Sequence, residues 1–242
     1  MAGHSKWAQI KHKKAATDAR KGQLFSKLVR EVTIAARLGG PRPDANSRLK
    51  AALQRAHAAG LPKENIERAL VRASGGGEET GLQEFLYEVS GPAGLQVLIE
   101  GITDNKNRTL AELKRIFETY GARLTEPGSL LWNFDKIGTL EIIQSDNPEK
   151  SREDIELSAI EAGASDLAVR DGVVIAETLF TDTQTVAARI ESAGIIIKDI
   201  YHDFKPRSVI NPAPSEREAM EKFLDALTEH DDVQEAYTNA RE

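Results

Sequence analysis

Ser74-Gly75-Gly76-Gly77-Glu78-Glu79-Thr80-Gly81 divides the chain in two. Rich in glycine and without a large apolar side chain, this stretch reads as a linker, and both the charge and the hydrophobic period change across it. From Met1 to Gly77 there are 16 Lys+Arg against 5 Asp+Glu, a net of +11; the remainder holds 16 against 33, a net of -17, and the two sum to the -6 of the whole chain. A basic head is joined to an acidic body, so the overall charge hides a segment suited to a polyanion.

Upstream of the linker the period is helical. Leu24, Leu28, Val32 and Ala35 recur at three- and four-residue spacing, and Gly39-Gly40 supplies a stop. A second helix is predicted from an Asn46 cap to Gly60, and a third from near Pro62, with Ile66, Ala69, Leu70 and Ala73 on one face. The head is therefore all-α. Its first twenty residues hold only Trp7 and Ile10 as large apolar side chains, too few to bury a core, which predicts ordering on a partner.

Downstream the period becomes two. Phe85, Tyr87 and Val89 alternate, Gly91-Pro92-Ala93-Gly94 turns the chain, and Leu95 to Ile102 is an apolar run. Asp104 or Asn105 caps a helix bearing Leu110, Leu113, Ile116, Phe117 and Tyr120, followed by strands near Ala122 to Thr125 and Leu130 to Phe134, read as a β-α-β-β run. Next come a strand at Thr139 to Ile143, a helix at Arg152 to Ala162 and a hairpin over Leu167 to Glu177 turning at Asp171-Gly172. A helix at Thr183 to Ala193 and a strand at Ile195 to Tyr201 complete a β-α-β-β-α-β ferredoxin-like unit. Ser215 to Leu227 and Val233 to Tyr237 supply the α-β that the earlier unit lacks. The predicted fold is α+β: an all-α helical domain over 1–77 and two ferredoxin-like α+β domains, one discontinuous over 82–135 plus 205–242 and the other, over 136–204, inserted in it.

At 242 residues and 40% hydrophobic, the chain is long enough for several cores. It has no run of about 18 apolar residues, and Met1-Ala2-Gly3-His4-Ser5-Lys6-Trp7 lacks the apolar stretch of a secretory signal, so a cytoplasmic protein without a membrane partner is expected. The absence of cysteine excludes disulfides, thiolate metal sites and a cysteine nucleophile. His4, His12, His57, His202 and His230 match no metal-ligand spacing, and no G-x-S-x-G or phosphate-loop pattern occurs. Glu229-His230-Asp231-Asp232 reads as a helix end turning into the last strand. No enzyme activity, cofactor or metal is predicted, and a monomer is favoured.

The chemistry lies in the head. Lys6-Trp7-Ala8-Gln9-Ile10-Lys11-His12-Lys13-Lys14, continuing through Arg20, Lys21 and Lys27, clusters cations that neutralise phosphates and release counterions. Trp7 offers an indole face to an unpaired base. At about 100° per residue, Lys27, Arg30 and Arg37 fall opposite the apolar stripe of the first helix, and Arg48 and Arg55 share a face of the second. All of these are predicted to contact nucleic acid. Thr103-Asp104-Asn105-Lys106-Asn107-Arg108-Thr109 stands where a strand hands over to a helix, and Asn105, Lys106 and Arg108 form a possible second anion site, with simple capping as the competing reading.

The opening MAGHSKWAQIKHKKAATDARKGQLFSKLVREVTIAARLGG resembles the start of YebC/PmpR family proteins, and the resemblance continues in LPKENIERAL from Leu61, TDNKNRT from Thr103 and DDVQEAYTNA from Asp231. It departs from the family at Ala93 and over Glu126-Pro127-Gly128-Ser129. The resemblance implies a cytoplasmic protein of three domains that regulates gene expression. Members are labelled DNA-binding transcriptional regulators, while a mitochondrial relative activates translation and bacterial ones are linked to ribosomes slowed at proline runs. Two partners are thus implied, duplex DNA and ribosomal RNA. The residues show no clear recognition helix or zipper, and a basic arm with one aromatic suits structured or single-stranded RNA at least as well.

Overall fold

The computed structural model describes residues 18–75 and 81–241, with side chains from residue 21 onward. Among the described residues the head comprises α1 (Asp18–Gly39), α2 (Ser47–Ala58) and α3 (Lys63–Ala73). Leu28, Val32 and Ala35 of α1 pack with Leu49, Ala52 and Ala56 of α2 and with Ile66 and Ala69 of α3. One amide fixes the α1–α2 corner. Asn46 Oδ1 accepts from the Leu49 N–H at 3.0 Å, while Nδ2 donates to the carbonyls of Ala35 and Gly40, each at 2.8 Å. A Cβ on Gly39 would lie 2.5 Å from that amide, so the stop is also a close approach.

The second domain begins with the hairpin β1 (Gln83–Ser90) and β2 (Gln96–Thr103), then α4 (Lys106–Thr119) and the short β3 (Arg123–Leu124). It closes with α7 (Pro214–Thr228) and β8 (Val233–Thr238). The sheet runs β3-β1-β2-β8, antiparallel throughout, with the hairpin at its centre. Its core joins Phe85, Val89, Val97 and Ile99 to Leu113 and Phe117 of α4 and to Met220, Phe223 and Leu227 of α7.

The connectivity is therefore β-β-α-β-α-β, which corrects the β-α-β-β run. The strand expected over Leu130 to Phe134 is also absent: Leu131–Asn133 is a 3-10 turn, and β4 starts at Phe134. The cause is Glu88, whose carboxylate accepts from the N–H groups of Gly128, Leu130 and Leu131. Donors committed to a side chain cannot form a ladder.

The chain divides into two compact units, one reaching to Asp135 and resuming at Lys205, the other Lys136–Phe204. The second unit is built from β4 (Phe134–Ile143), α5 (Arg152–Ala162), β5 (Asp166–Arg170), β6 (Val173–Leu179), α6 (Thr183–Ser192) and β7 (Asp199–Pro206). The strand order β5-β6-β4-β7 is that of a ferredoxin-like sheet. Leu140, Ile142, Val174 and Ala176 pack on Ile155, Ala159, Val186 and Ile190. Asp171 and Gly172 turn the β5–β6 hairpin with φ of 48° and 80°, the left-handed pair that suits the strand twist.

The last strand lies four residues later than the sequence predicts. Asn147 takes both backbone groups of Ile196, accepting from its N–H at 2.7 Å and donating to its carbonyl at 3.1 Å, so the strand starts only at Asp199.

Candidate nucleic-acid interface

Lys6, Trp7, Lys11, His12, Lys13 and Lys14 lie outside the described residues, as does the side chain of Arg20. Lys21 is exposed, with its Nζ 5.5 Å from the Phe25 ring centre. Of the other head cations, Arg42, Lys50 and Arg72 are exposed and make no ion pair among the described residues.

The basic reverse of α1 turns inward. Gln23 Nε2 donates to the Glu229 carbonyl at 3.0 Å and Lys27 Nζ to the Thr228 carbonyl at 2.6 Å. One turn on, Arg30 Nη1 reaches the Asp231 carbonyl at 2.5 Å and Asp232 Oδ1 at 2.7 Å. These acceptors are the end of α7 and the turn after it. The last carbonyls of a helix have no partner within it and carry the negative end of its dipole, so donors from α1 cap α7 from outside. Further along, Arg37 donates to the Leu82 carbonyl, Arg48 pairs with Glu84, and Arg55 pairs with Glu31.

The expectation of a solvent-facing basic stripe is thereby corrected for Lys27, only 5% exposed, and for Arg30. Arg37, Arg48 and Arg55 keep some exposure but already have acceptors. The head holds few acids, which made these cations look uncompensated. Their partners stand on the body, for Lys27 and Arg30 some two hundred positions away.

The junction centres on Asp232, which is 2% exposed. Its Oδ2 accepts from Thr109 Oγ1 at 2.6 Å, Thr103 Oγ1 at 3.0 Å and Arg108 Nη2 at 3.0 Å, while Oδ1 takes Arg30. Burial alone pushes this carboxyl up. The hydrogen bonds from Thr109, Arg108 and Thr103, with the charge of Arg30, outweigh it and hold the group below the usual carboxylate range. A Cβ at Gly101 would fall 2.2 Å from the Asp232 carbonyl oxygen, so a glycine there lets the two strands approach.

The same junction answers for the second anion site. Asn105 Oδ1 accepts from the N–H groups of Asn107 and Arg108, each at 3.1 Å, and Arg108 bonds Asp104 at 2.7 Å as well as Asp232. Donors proposed for an anion are spent on the cap and on two carboxylates, so the capping reading holds, and Lys106 is left exposed beside it.

A cavity of about 540 Å³ opens here, its walls including Gln23, Arg30, Arg108, Glu112, Arg115 and His230. Glu112, His230 and Asp232 bring ligand atoms within 4.8 Å of one another. That spacing would suit a metal ion, but the Asp232 oxygens already serve two arginines, and His230 Nδ1 accepts from the Asp232 N–H at 3.1 Å. Asp232, Thr103, Thr109 and Gln23 were not legible as junction residues. The only signal was electrostatic: a basic helix face needs a counterpart, and the body carries the acid.

Comparison with known proteins follows this division of the chain. The model of the TACO1/YebC protein N-terminal domain matches residues 5–76, and that of the TACO1/YebC second and third domain matches residues 82–240. The chain belongs to the TACO1/YebC family. A relative from Caldanaerobacter subterraneus subsp. tengcongensis is 43% identical over 99% of this chain and 98% of its own length. One from Thermotoga maritima is 42% identical over 99% and 93%. Both are named "Probable transcriptional regulatory protein", so at family level the assignment is a regulator. The crystal structure of a conserved hypothetical protein from Aquifex aeolicus, 38% identical, superposes with a TM-score of 0.87 over 98% of this chain and 97% of that one. Among the described residues no helix is long and apolar enough to cross a membrane.

In this TACO1/YebC chain the joint between head and second domain is itself titratable. Burial pushes the Lys27 ammonium down to about 8, against the pull of Glu235 and Asp231. A lysine in the unfolded chain holds its proton to about 10.4. Between these values the unfolded state binds the proton that the native state has released, so this site makes stability rise with pH. Lys27→Met is expected to abolish that rise, worth at most about 3 kcal/mol. Urea unfolding of both proteins at pH 7.5 and 10 checks the sign; parallel curves refute it.

Proposed function

We propose that this protein is a cytoplasmic, nucleic-acid-binding regulator of gene expression that acts by binding, without a catalytic step, through the segment from Lys6 to Lys21. The observation that carries the reading is the way cations are used along the head. Those from Lys27 to Arg55 that face the body or one another have intramolecular acceptors. Lys6, Lys11, Lys13, Lys14, Arg20 and Lys21 face a single acid, Asp18, in the sequence of their segment. Lysines and arginines at that density neutralise phosphates whatever the base sequence.

The relatives are named probable transcriptional regulatory proteins, and duplex DNA is the target on which such a role would act. Ribosomal RNA is the second reading, favoured by Trp7 among the lysines, an arrangement that stacks unpaired bases. Ultraviolet crosslinking in cells, with sequencing of every attached RNA and DNA fragment, separates them. Fragments gathered at promoters establish the transcriptional regulator; fragments gathered in a few rRNA segments establish the translation factor; crosslinks at background for both sink the proposal.

A further inference from the structure

We propose that Trp132 is a stacking platform for an unpaired nucleobase, a second contact that rests on the nucleic-acid reading but lies far along the chain from the basic segment. Trp132 is 61% exposed, unusual for the largest apolar side chain, yet its ring is not loose. The indole Nε1–H donates to the Ser129 carbonyl at 2.7 Å, which fixes the ring's polar edge.

The loop that carries it is built at some cost. Glu88 is 5% exposed, and its carboxylate is held by backbone N–H groups, Leu130 at 2.5 Å, Leu131 at 2.9 Å and Gly128. A concave set of amides around an anion is a rigid nest, and a buried carboxylate that lost it would be left without compensation. On the other flank Asn133 is 1% exposed, donating to Gln96 Oε1 at 2.7 Å and to the Ser208 carbonyl at 3.2 Å, and accepting from the Ser208 N–H at 2.8 Å. The indole therefore stands between two fixed points, and little conformational freedom remains to be lost on binding.

The surroundings select the partner. A tryptophan that anchors a protein interface sits inside an apolar ring that excludes water. Here Glu126, Pro127, Gly128 and Ser129 are exposed, and Leu130 and Leu131 are half-buried. With its N–H already satisfied, the indole has only its π-face to offer. A base supplies a matching face and keeps its polar edges hydrated, so stacking needs no apolar apron and tolerates any base.

Trp7 is the other tryptophan of the chain, so in the Trp7→Phe protein Trp132 is the sole indole reporter, with an aromatic ring retained at position 7. This protein is titrated with labelled single-stranded oligouridine and oligothymidine, reading strand anisotropy and indole fluorescence together. Expected are quenching that tracks the binding curve, a loss of single-strand affinity of about 5- to 150-fold for Trp132→Ala, and near-full retention for Trp132→Phe. A normal anisotropy curve with unchanged fluorescence and unaltered Trp132→Ala affinity overturns this inference alone and leaves the loop to a protein partner. No anisotropy change with any strand or duplex in the unaltered protein, which keeps Trp7, overturns the nucleic-acid reading and this one with it.

Discussion

Asp232→Ala is expected to lower the unfolding free energy of the unit that contains the head by about 1–3 kcal/mol, the range for hydrogen bonds made to a charged group, because the arginines left behind still reach solvent. Four donors converge on this one carboxylate: Arg30 from the head, Arg108 and Thr109 from α4, and Thr103 from β2. Its removal leaves the two hydroxyls buried with fewer acceptors and deprives Arg30 of its side-chain partner at the joint. Asp231→Ala is the control, because Asp231 is exposed and Arg30 uses its carbonyl, which alanine keeps. Its effect stays within about 1 kcal/mol.

The pH dependence follows from the lowered carboxyl of Asp232. An aspartate depressed in the native state contributes its full stability above the unfolded value of about 3.9 and loses it as pH falls through the native value. Wild type and Asp232→Ala should therefore converge in acid. Urea midpoints from pH 7 to pH 3 measure this; a loss below 1 kcal/mol at pH 7, or a gap that persists in acid, counts against the hub.

Replacing Lys11, Lys13 and Lys14 together by alanine is expected to reduce the log–log salt slope of duplex binding by about 2 to 3 units, since each neutralised phosphate contributes about 0.9. Lys27→Met is the informative partner. A count of cations would give it the same weight, but Lys27 is buried on the Thr228 carbonyl, so it should alter stability and leave the slope unchanged. Equal slope changes for Lys27→Met and for any one arm lysine would mean that the head leaves the body when nucleic acid binds. An unchanged slope in the triple variant removes the arm from the interface.

Local signals were legible where local chemistry decides. The three- and four-residue stripe through Leu28, Val32 and Ala35, the Asn46 cap, and the alternation of Phe85 and Val89 all appear where their periods place them. So does the left-handed turn at Asp171-Gly172. The misreadings share one cause. Leu130 to Phe134 has strand residues, but Glu88 takes three of the loop's N–H groups; Ile195 to Ile197 looks like a strand start, but Asn147 takes both backbone groups of Ile196. In each case one distant polar side chain outbids the ladder, and neither propensity nor period registers it.

The candidate site divides the same way. Charge segregation across the glycine linker belongs to the sequence alone, because net charge is a sum over residues and needs no geometry. The α+β class does too, because periods of 3.6 and 2 follow from backbone geometry. Which cations remain available was decided only by the tertiary structure. Ionic and hydrogen-bond energies fall off over a few ångströms, and folding sets Arg30 2.7 Å from Asp232 across two hundred residues of chain.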